Sequence, residues 1–324
     1  MFIRGRLVVG ILVLGVFVLG IGIFGLAQTK QAYQLTMGTG GTTGSYYPLG
    51  GAISQIVASK LGVNITVRST GGTVENLKLI EQDEAQLGLA QNDLLYYAWN
   101  GEEMFKQKTY RKARIIASMY PEYIQIAVRE DSGVKTVYDL KGKRINVGAP
   151  GSGSEANARQ ILNSLGIKYE DFNPYFLSNT QAAAQMKNRQ LDGMILTTGL
   201  PSPAIMDVAL QHAVRIIPFA EDDIEKLEKK YPFFKRAVIP AGSYKGQSGD
   251  VLTVSVRAML VCHESLSEDL VYNITKVIWE NREELAKIMA KAKYMDPKDP
   301  VKGATIPVHP GAKKYYKEIG INVE

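Results

Sequence analysis

The sequence predicts an α/β protein with two lobes, two mostly parallel sheets and a cleft between the lobes. Short apolar runs alternate with amphipathic, helix-like segments, which is the pattern of mostly parallel sheets covered by helices. About 300 residues follow the N-terminal apolar segment, more than one compact core usually holds, so two lobes are expected. Four glycine-rich loops each follow an apolar run, at the strand end where parallel sheets bind ligands.

The first 27 residues have the features of a secretory signal. Arg4 and Arg6 precede an uncharged run at 7–27, which ends with the small residues Gly25 and Ala27. We expect cleavage near Ala27. Because the run is also long enough to span a bilayer, an uncleaved anchor at 1–27 is the alternative. Either outcome places the remainder outside the cytoplasm, so a periplasmic location is expected.

Short runs rich in β-branched residues and bounded by glycine, proline or polar residues predict the strands. In chain order these are 34–38, 64–69, 87–90, 114–118, 124–129, 144–148, 175–177, 193–197 and 215–218. Apolar residues at helical spacing predict the helices. These are 49–61, 74–82, 154–165, 180–188 and 203–211, followed by mainly helical segments at 268–292 and 312–320. Residues 221–230 carry mixed charges and are predicted to form an exposed helix.

Two extended segments are predicted to cross between the lobes. Residues 118–129 have an extended, β-branched texture around Pro121, and 250–257 alternate between apolar and polar residues as a strand does. The predicted hinge crossings are near 120–124 and 250–257. Lobe I is then formed by 33–121 and 257–324, and lobe II by 122–256.

The glycine-rich loops predict a ligand site. The first, LTMGTGGTTGSYY at 35–47, is a strand, a loop and a helix start in sequence. Glycines let main-chain N–H groups approach a ligand, and a helix N-terminus carries partial positive charge. Similar loops recur at 69–76, 149–157 and 197–207. Together they indicate a site that grips a small anionic ligand with backbone and hydroxyl groups.

The candidate ligand-binding residues come from both lobes. Those of the first are Thr39, Gly40, Gly41, Ser45, Tyr46, Tyr47, Thr70, Gly71, Gly72, Asn76, Gln91, Asp93 and Tyr120. Those of the second are Ser152, Gly153, Ser154, Thr198 and Gly199. Of the two adjacent tyrosines, at least one is expected in the site, with core packing as the alternative for the other.

Three candidates have structural alternatives of their own. Asn76 could make only a local polar contact, and Ser154 could be only an N-cap. Asp93 could accept an ammonium group, which would favour an amino acid over a plain dicarboxylate, or it could cap the following helix. Tyr120 lies at the predicted crossing, where it could contact the ligand or gate the cleft.

Composition excludes several classes of function. The formal net charge of +6 falls to +4 without Arg4 and Arg6, and there is no long basic run, so a nucleic-acid partner is not expected. Cys262 is the only cysteine, which excludes an intramolecular disulfide and disfavours a lipoprotein. We expect Cys262 to be a small buried apolar residue.

Enzyme chemistry has little support. His212, His263 and His309 are far apart, no H-E-x-x-H or cysteine cluster predicts zinc, and no G-x-S-x-G elbow is present. The glycines at the start of the first loop imitate a dinucleotide fingerprint, but no acidic residue ends the second strand. No enzyme activity, cofactor or metal ligand is therefore expected, and a dinucleotide-dependent enzyme is the weakest alternative.

Several motifs together resemble a known family. They are GTGGTTGSYYPLG, STGGTVENLKLI, LGLAQND, DLKGKRINVGAPGSGSE, DGMILTTGLPSPAIMD and IPVHPGAKKYYKEIG. The combination is similar to the TAXI family, the extracytoplasmic solute receptors of TRAP-type secondary transporters. The resemblance covers the chain from about residue 33 to its end.

The resemblance implies a two-lobed periplasmic-binding-protein fold, type II-like, that closes on its ligand and delivers it to a TRAP-type membrane permease. Ligands of that family include glutamate, glutamine and 2-oxoglutarate-like acids. Related receptors of another branch grip a carboxylate with arginine. Here only Arg68 stands beside a candidate loop, and strand alternation can turn it away from the cleft. A membrane-tethered ligand-sensing domain of the same fold is the alternative function.

Overall fold

The computed structural model of the protein describes residues 34–323. The predicted signal peptide or anchor at 1–27 lies outside the described residues. Within them the chain forms strands and helices in alternation, as the sequence predicts. The strands are β1 (Gln34–Gly38), β2 (Asn64–Arg68), β3 (Leu87–Gln91), β4 (Ala113–Arg129), β5 (Arg144–Asn146), β6 (Asn173–Tyr175), β7 (Gly193–Thr198), β8 (Val214–Ile217), β9 (Lys235–Ile239) and β10 (Val251–His263).

Ten α-helices accompany these strands in the described part of the chain. They are α1 (Tyr46–Leu61), α2 (Thr73–Glu81), α3 (Asn92–Asn100), α4 (Gly153–Ser164), α5 (Asn179–Lys187), α6 (Pro203–Ala209), α7 (Glu221–Lys230), α8 (Glu268–Glu280), α9 (Arg282–Ile288) and α10 (Pro310–Glu318). The predicted elements are present with small shifts of their ends, with two exceptions. The strands predicted at 114–118 and 124–129 are one strand, β4, and β10 extends beyond the predicted end at 257 to His263. Sequence patterns missed β9, and they gave no bounds for α3, the helix expected after Asp93.

The strands form one mixed sheet in the order β2-β1-β3-β10-β4-β7-β5-β6, with β8 paired to β4 and β9 to β10. Two groups are parallel: β1 with β2 and β3, and β5 with β6 and β7. Between them, β4 and β10 pair with each other and with their neighbours in antiparallel fashion. The two parallel groups, which the sequence predicts as separate sheets, therefore belong to one mixed sheet, because the long strands β4 and β10 join them.

The segments predicted to cross between lobes lie inside β4 and β10. The ladder between these strands is irregular between Ala258 and Met259, where it faces Ser118 and Tyr120. The lobe boundaries at 33–121 with 257–324 and at 122–256 stay a prediction.

The apolar core has a large and a small part. The large cluster fills the space around β1, β3, β4 and β10, and it includes Cys262, which is fully buried as expected. Burial raises the pKa of the Cys262 thiol. The smaller cluster is drawn only from residues 127–251. The middle of the chain therefore has apolar packing of its own.

The four glycine-rich loops follow the C-terminal ends of β1, β2, β5 and β7. They lead into α1, α2, α4 and α6, respectively. Gly148, after β5, has a φ of 106°, and a Cβ there would lie 2.8 Å from the Glu155 nitrogen. Only glycine fits this close approach of the loop to the start of α4. Ser152 is the N-cap of α4 and accepts a hydrogen bond from that same nitrogen.

Candidate functional site

A cavity of about 100 Å³ lies where the four glycine-rich loops meet. The predicted residues that line it are Gly40, Gly41, Ser45, Tyr46, Thr70, Gly71, Gly72, Gln91, Ser152, Gly153, Ser154 and Thr198. Residues not predicted also line it: Gly44, Thr73, Glu122, Ala149, Ser178, Asn179 and Thr197. Six predicted residues lie outside the lining: Thr39, Tyr47, Asn76, Asp93, Tyr120 and Gly199.

Asn76 holds the first two loops against β3. Its side-chain amide donates to the carbonyl oxygens of Thr39 and Leu89 at 2.6 and 2.7 Å, and its oxygen accepts from the Thr70 hydroxyl at 2.7 Å. The Thr39 hydroxyl donates to the Arg68 carbonyl at 2.7 Å. Both Thr39 and Asn76 are fully buried, and their visible role is to fix the loops.

Hydrogen bonds link the first loop to segments from the middle of the chain. The hydroxyl oxygens of Ser45 and Thr198 are 3.0 Å apart and buried. At the surface, the hydroxyls of Thr43 and Thr180 are 2.5 Å apart. These bonds bring the loop after β1 against the end of β7 and the start of α5.

A buried polar network connects β3 and α3 with α4. The Asn157 amide donates to the Asp93 carboxylate at 2.7 Å, and the Gln91 amide donates to the Asn157 oxygen at 3.1 Å. Asp93 is the second residue of α3 and not its N-cap. Burial raises the pKa of Asp93 to about 6, although the Asn157 bond opposes this. Asp93 therefore faces α4 and not the cavity.

Gln91 packs directly on the first residue of α4. A Cβ built on Gly153 would lie 1.6 Å from Gln91 Oε1 and 2.3 Å from its Cδ. The absence of a side chain at Gly153 is thus what lets Gln91 reach Asn157.

Two ionisable groups that sequence reasoning missed are buried at this site. Glu122, in β4, lines the cavity and accepts a hydrogen bond from the Tyr46 hydroxyl at 2.6 Å. Burial raises the pKa of Glu122 to about 8, against the lowering effects of Tyr46 and Lys291. The sequence of β4 gave no signal for Glu122, because the strand also contains Arg114, Ser118, Gln125 and Arg129.

Lys291 lies in a short 3-10 helix, Ala290–Tyr294, and its ammonium group donates to the Ser45 hydroxyl oxygen at 2.6 Å. Burial lowers the pKa of Lys291 to about 8, and Glu122 opposes that shift. Ser45 and Lys291 are 246 positions apart, and no local pattern around 291 distinguishes this lysine from its neighbours.

The remaining predicted residues are Gly199, Tyr120 and Tyr47, none of which lines the cavity. A Cβ on Gly199 would lie 2.7 Å from Lys291 Cδ and 3.0 Å from Tyr120 Cε2, so Gly199 makes room for the lysine stem. Tyr120 is fully buried, and its hydroxyl has no hydrogen-bond partner among residues 34–323. Tyr47 is half-buried in the first turn of α1.

Within residues 34–323, no group of histidine, cysteine, aspartate and glutamate side chains is arranged to hold a metal ion. In the same range, no helix combines the length and apolar character that crossing a bilayer requires.

The sequence profile of the NMT1-like family matches residues 37–320. The chain belongs to the NMT1-like family. Solved structures similar to this NMT1-like protein include one from Bordetella bronchiseptica, with 15% identity and a TM-score of 0.56 over 88% of this chain and 98% of that one. A structure described as a periplasmic transporter has 13% identity and a TM-score of 0.55, over 90% and 94%. An ancestral arginine-binding protein with bound arginine has 15% identity and a TM-score of 0.50, over 81% and 98%.

The fold predicted for this NMT1-like chain, an α/β periplasmic-binding-protein fold, is confirmed by these similarities.

Proposed function

We propose that the protein is an extracytoplasmic solute receptor of the TAXI type. It binds a small organic anion or an amino acid in the cavity and delivers it to a TRAP-type membrane transporter. The observation that carries the proposal is the convergence of all four glycine-rich loops on one cavity, with hydroxyl and main-chain groups on its walls. Such groups hold an anion without transforming it.

The hydroxyl groups of the lining have hydrogens to offer a ligand. Ser154 Oγ accepts from the Thr197 nitrogen at 3.0 Å, and Thr73 Oγ1 accepts from the Gln91 nitrogen at 3.1 Å. Because each oxygen accepts from a main-chain nitrogen, its own O–H points away from that nitrogen and can donate to a ligand in the cavity. Donors aimed at a carboxylate form short, charge-assisted hydrogen bonds.

The contacts between loops favour a mechanism of closure around the ligand. The Ser45–Thr198 and Asp93–Asn157 bonds each join the start of the chain to its middle. The irregular β4–β10 ladder supports two lobes that hinge near 120–124 and 250–257. A ligand that contacts both lobes binds the closed state more tightly and raises its population, which a permease can recognise.

A thermal-shift screen tests this proposal. Glutamate, glutamine, 2-oxoglutarate and C4-dicarboxylates are added to the purified protein, and at least one should raise the melting temperature. A ligand at a hundred times its Kd adds about 2.7 kcal/mol of stability. If every organic acid and amino acid leaves the melting temperature unchanged, the proposal is wrong.

A pair of matched variants locates the site. Thr198→Val removes a cavity hydroxyl, and Thr66→Val makes the same change at an exposed position of β2. We expect the first to weaken binding by about 1 kcal/mol or more, since a hydrogen-bond donor is lost, and the second to leave it unchanged. Mass spectrometry of the exported protein's N-terminus separates a cleaved receptor from a tethered sensor.

A further inference from the structure

We propose that Glu122 and the pair Lys291–Ser45 select a zwitterionic ligand. Glu122 contacts the ammonium group, and Ser45, oriented by Lys291, contacts the carboxylate. The ligand is then an amino acid and not a carboxylic acid that lacks an amine. This inference rests on the proposed function and names the substrate class of the same cavity.

Glu122 is a buried acid that faces the cavity without a cationic partner. Only 3% of the residue is exposed, and one carboxylate oxygen accepts from Tyr46. The other oxygen has no hydrogen-bond partner among residues 34–323, and no cationic nitrogen there lies within 4.0 Å of the carboxylate. Buried carboxylates are stable when a cation or several donors satisfy them. A ligand ammonium group at this position would supply both charge and donors.

The groups around Glu122 agree with this assignment. Tyr46 of α1 and Lys291 favour its ionised form, whereas burial and Asp93 of α3 disfavour it. Tyr120, two residues earlier in β4, is a neutral buried phenol whose pKa the Glu122 charge raises. No neighbour thus neutralises the carboxylate by contact, and the cavity side is where a positive group can approach.

The ligand carboxylate is assigned to Ser45, which is the positive pole of the site because Lys291 contacts it; Glu122 is the negative pole. Its oxygen accepts from the Lys291 ammonium group at 2.6 Å, so its O–H is turned toward Thr198 or a ligand. Lys291 is not among the lining residues and acts through Ser45 as a positioning residue. Besides the larger effect of burial, Glu122 raises the pKa of Lys291 and Lys291 lowers that of Glu122, so the two poles lie close enough for their charges to interact. An α-amino acid carries its carboxylate and ammonium group on one carbon, so its two charges are close together as well.

Matched ligand pairs test the inference. Glutamate, glutamine and alanine are each compared with their 2-oxo and 2-hydroxy acids by titration calorimetry. For the amino acids that bind, we expect affinities about tenfold to a hundredfold higher than for the deaminated partners, the usual effect of a desolvated charge-assisted hydrogen bond. Glu122→Gln keeps the size of the side chain and an acceptor for Tyr46, and it should reduce this ratio to near one.

The ratio of two affinities measured on one variant is insensitive to partial unfolding, which affects both ligands equally. Glu264→Gln, at an exposed glutamate, is the control and should keep the wild-type ratio. If a 2-oxo acid binds the wild-type protein as tightly as its amino acid, or Glu122→Gln keeps the preference, the inference is wrong while the receptor function stands. If no acid and no amino acid binds, the proposed function itself fails.

Discussion

Gly153→Ala should weaken ligand binding by breaking the contact between Gln91 and the start of α4. The new Cβ would lie 1.6 Å from Gln91 Oε1, and real Cβ contacts are at least 3.0 Å, so the amide must move by about 1.4 Å or more. That displacement removes the 3.1 Å hydrogen bond from Gln91 to Asn157, or it separates β3 from α4. Either way, a buried connection between the two sides of the cavity is lost.

The magnitude follows from the groups left unpaired. A buried amide deprived of its partner costs about 1–3 kcal/mol. If the contact exists only in the ligand-binding arrangement, Kd should rise about 5-fold to 150-fold. Titration calorimetry with any ligand found in the thermal-shift screen measures this change, and urea unfolding of the free protein checks that the variant is folded.

Gly153 also lines the cavity, so the methyl group could instead touch the ligand itself. A double-mutant cycle separates the two effects. In a Gln91→Ala background the obstructing amide is gone, and Gly153→Ala should then cost less than about twofold in Kd. The same cost in both backgrounds would refute the contact with Gln91.

Gly51→Ala is the matched control. Gly51 is an exposed position of α1, and a Cβ there would have no atom within 4 Å, so the substitution should add about 0.5–1 kcal/mol of stability and leave Kd unchanged.

Three further predictions concern single groups. Because burial holds the pKa of Glu122 at about 8 in the free protein, binding of an amino acid below that pH must release a proton, so affinity should rise from pH 6 to 7 in calorimetry. This range lies below the pKa of Lys291, which is about 8, and the rise should be absent in Glu122→Gln. Tyr46→Phe removes a bond that lowers this pKa, and the rise should move to higher pH; an unmoved profile would show that Tyr46 does not tune Glu122. Cys262 is fully buried with a raised thiol pKa, so a thiol reagent should modify it only in denaturant, and rapid labelling of the native protein would contradict the packing of β10.

The glycine-rich loops were predictable because their chemistry is local. Each combines a strand end, a bare backbone and a helix start within a short stretch, as in 35–47 and 149–157. Those signals depend on backbone geometry that neighbouring residues determine. The same locality explains why most strands and helices, and the meeting of the four loops, could be expected from the sequence.

Local sequence patterns do not show the contacts that a residue makes with elements distant in the sequence. Asp93 follows β3 and Asn76 lies in the predicted helix after β2, yet both lie outside the cavity lining, since Asp93 bonds to Asn157 of α4 and Asn76 bonds to Leu89 of β3. The single strand β4 was divided in two by Pro121, since proline usually interrupts a ladder. Here β10 pairs with β4 on both sides of that position, and β7 pairs with β4 beyond it, from Tyr123 to Val128.

The two buried ionisable groups of the site, Glu122 and Lys291, could not be identified from local sequence patterns for a physical reason. An isolated buried charge is costly, so a sequence reader places lysine and glutamate at the surface by default. The fold overrides that default by joining residues from opposite ends of the chain: Lys291 reaches Ser45 through the space left by Gly199, and Glu122 is held by Tyr46. Burying both groups next to a cavity costs stability that a purely structural core would avoid. A ligand with complementary charges replaces the solvation that Glu122 and Lys291 lost on burial, and a ligand without them does not. This difference in binding free energy is what lets the two groups discriminate between ligands.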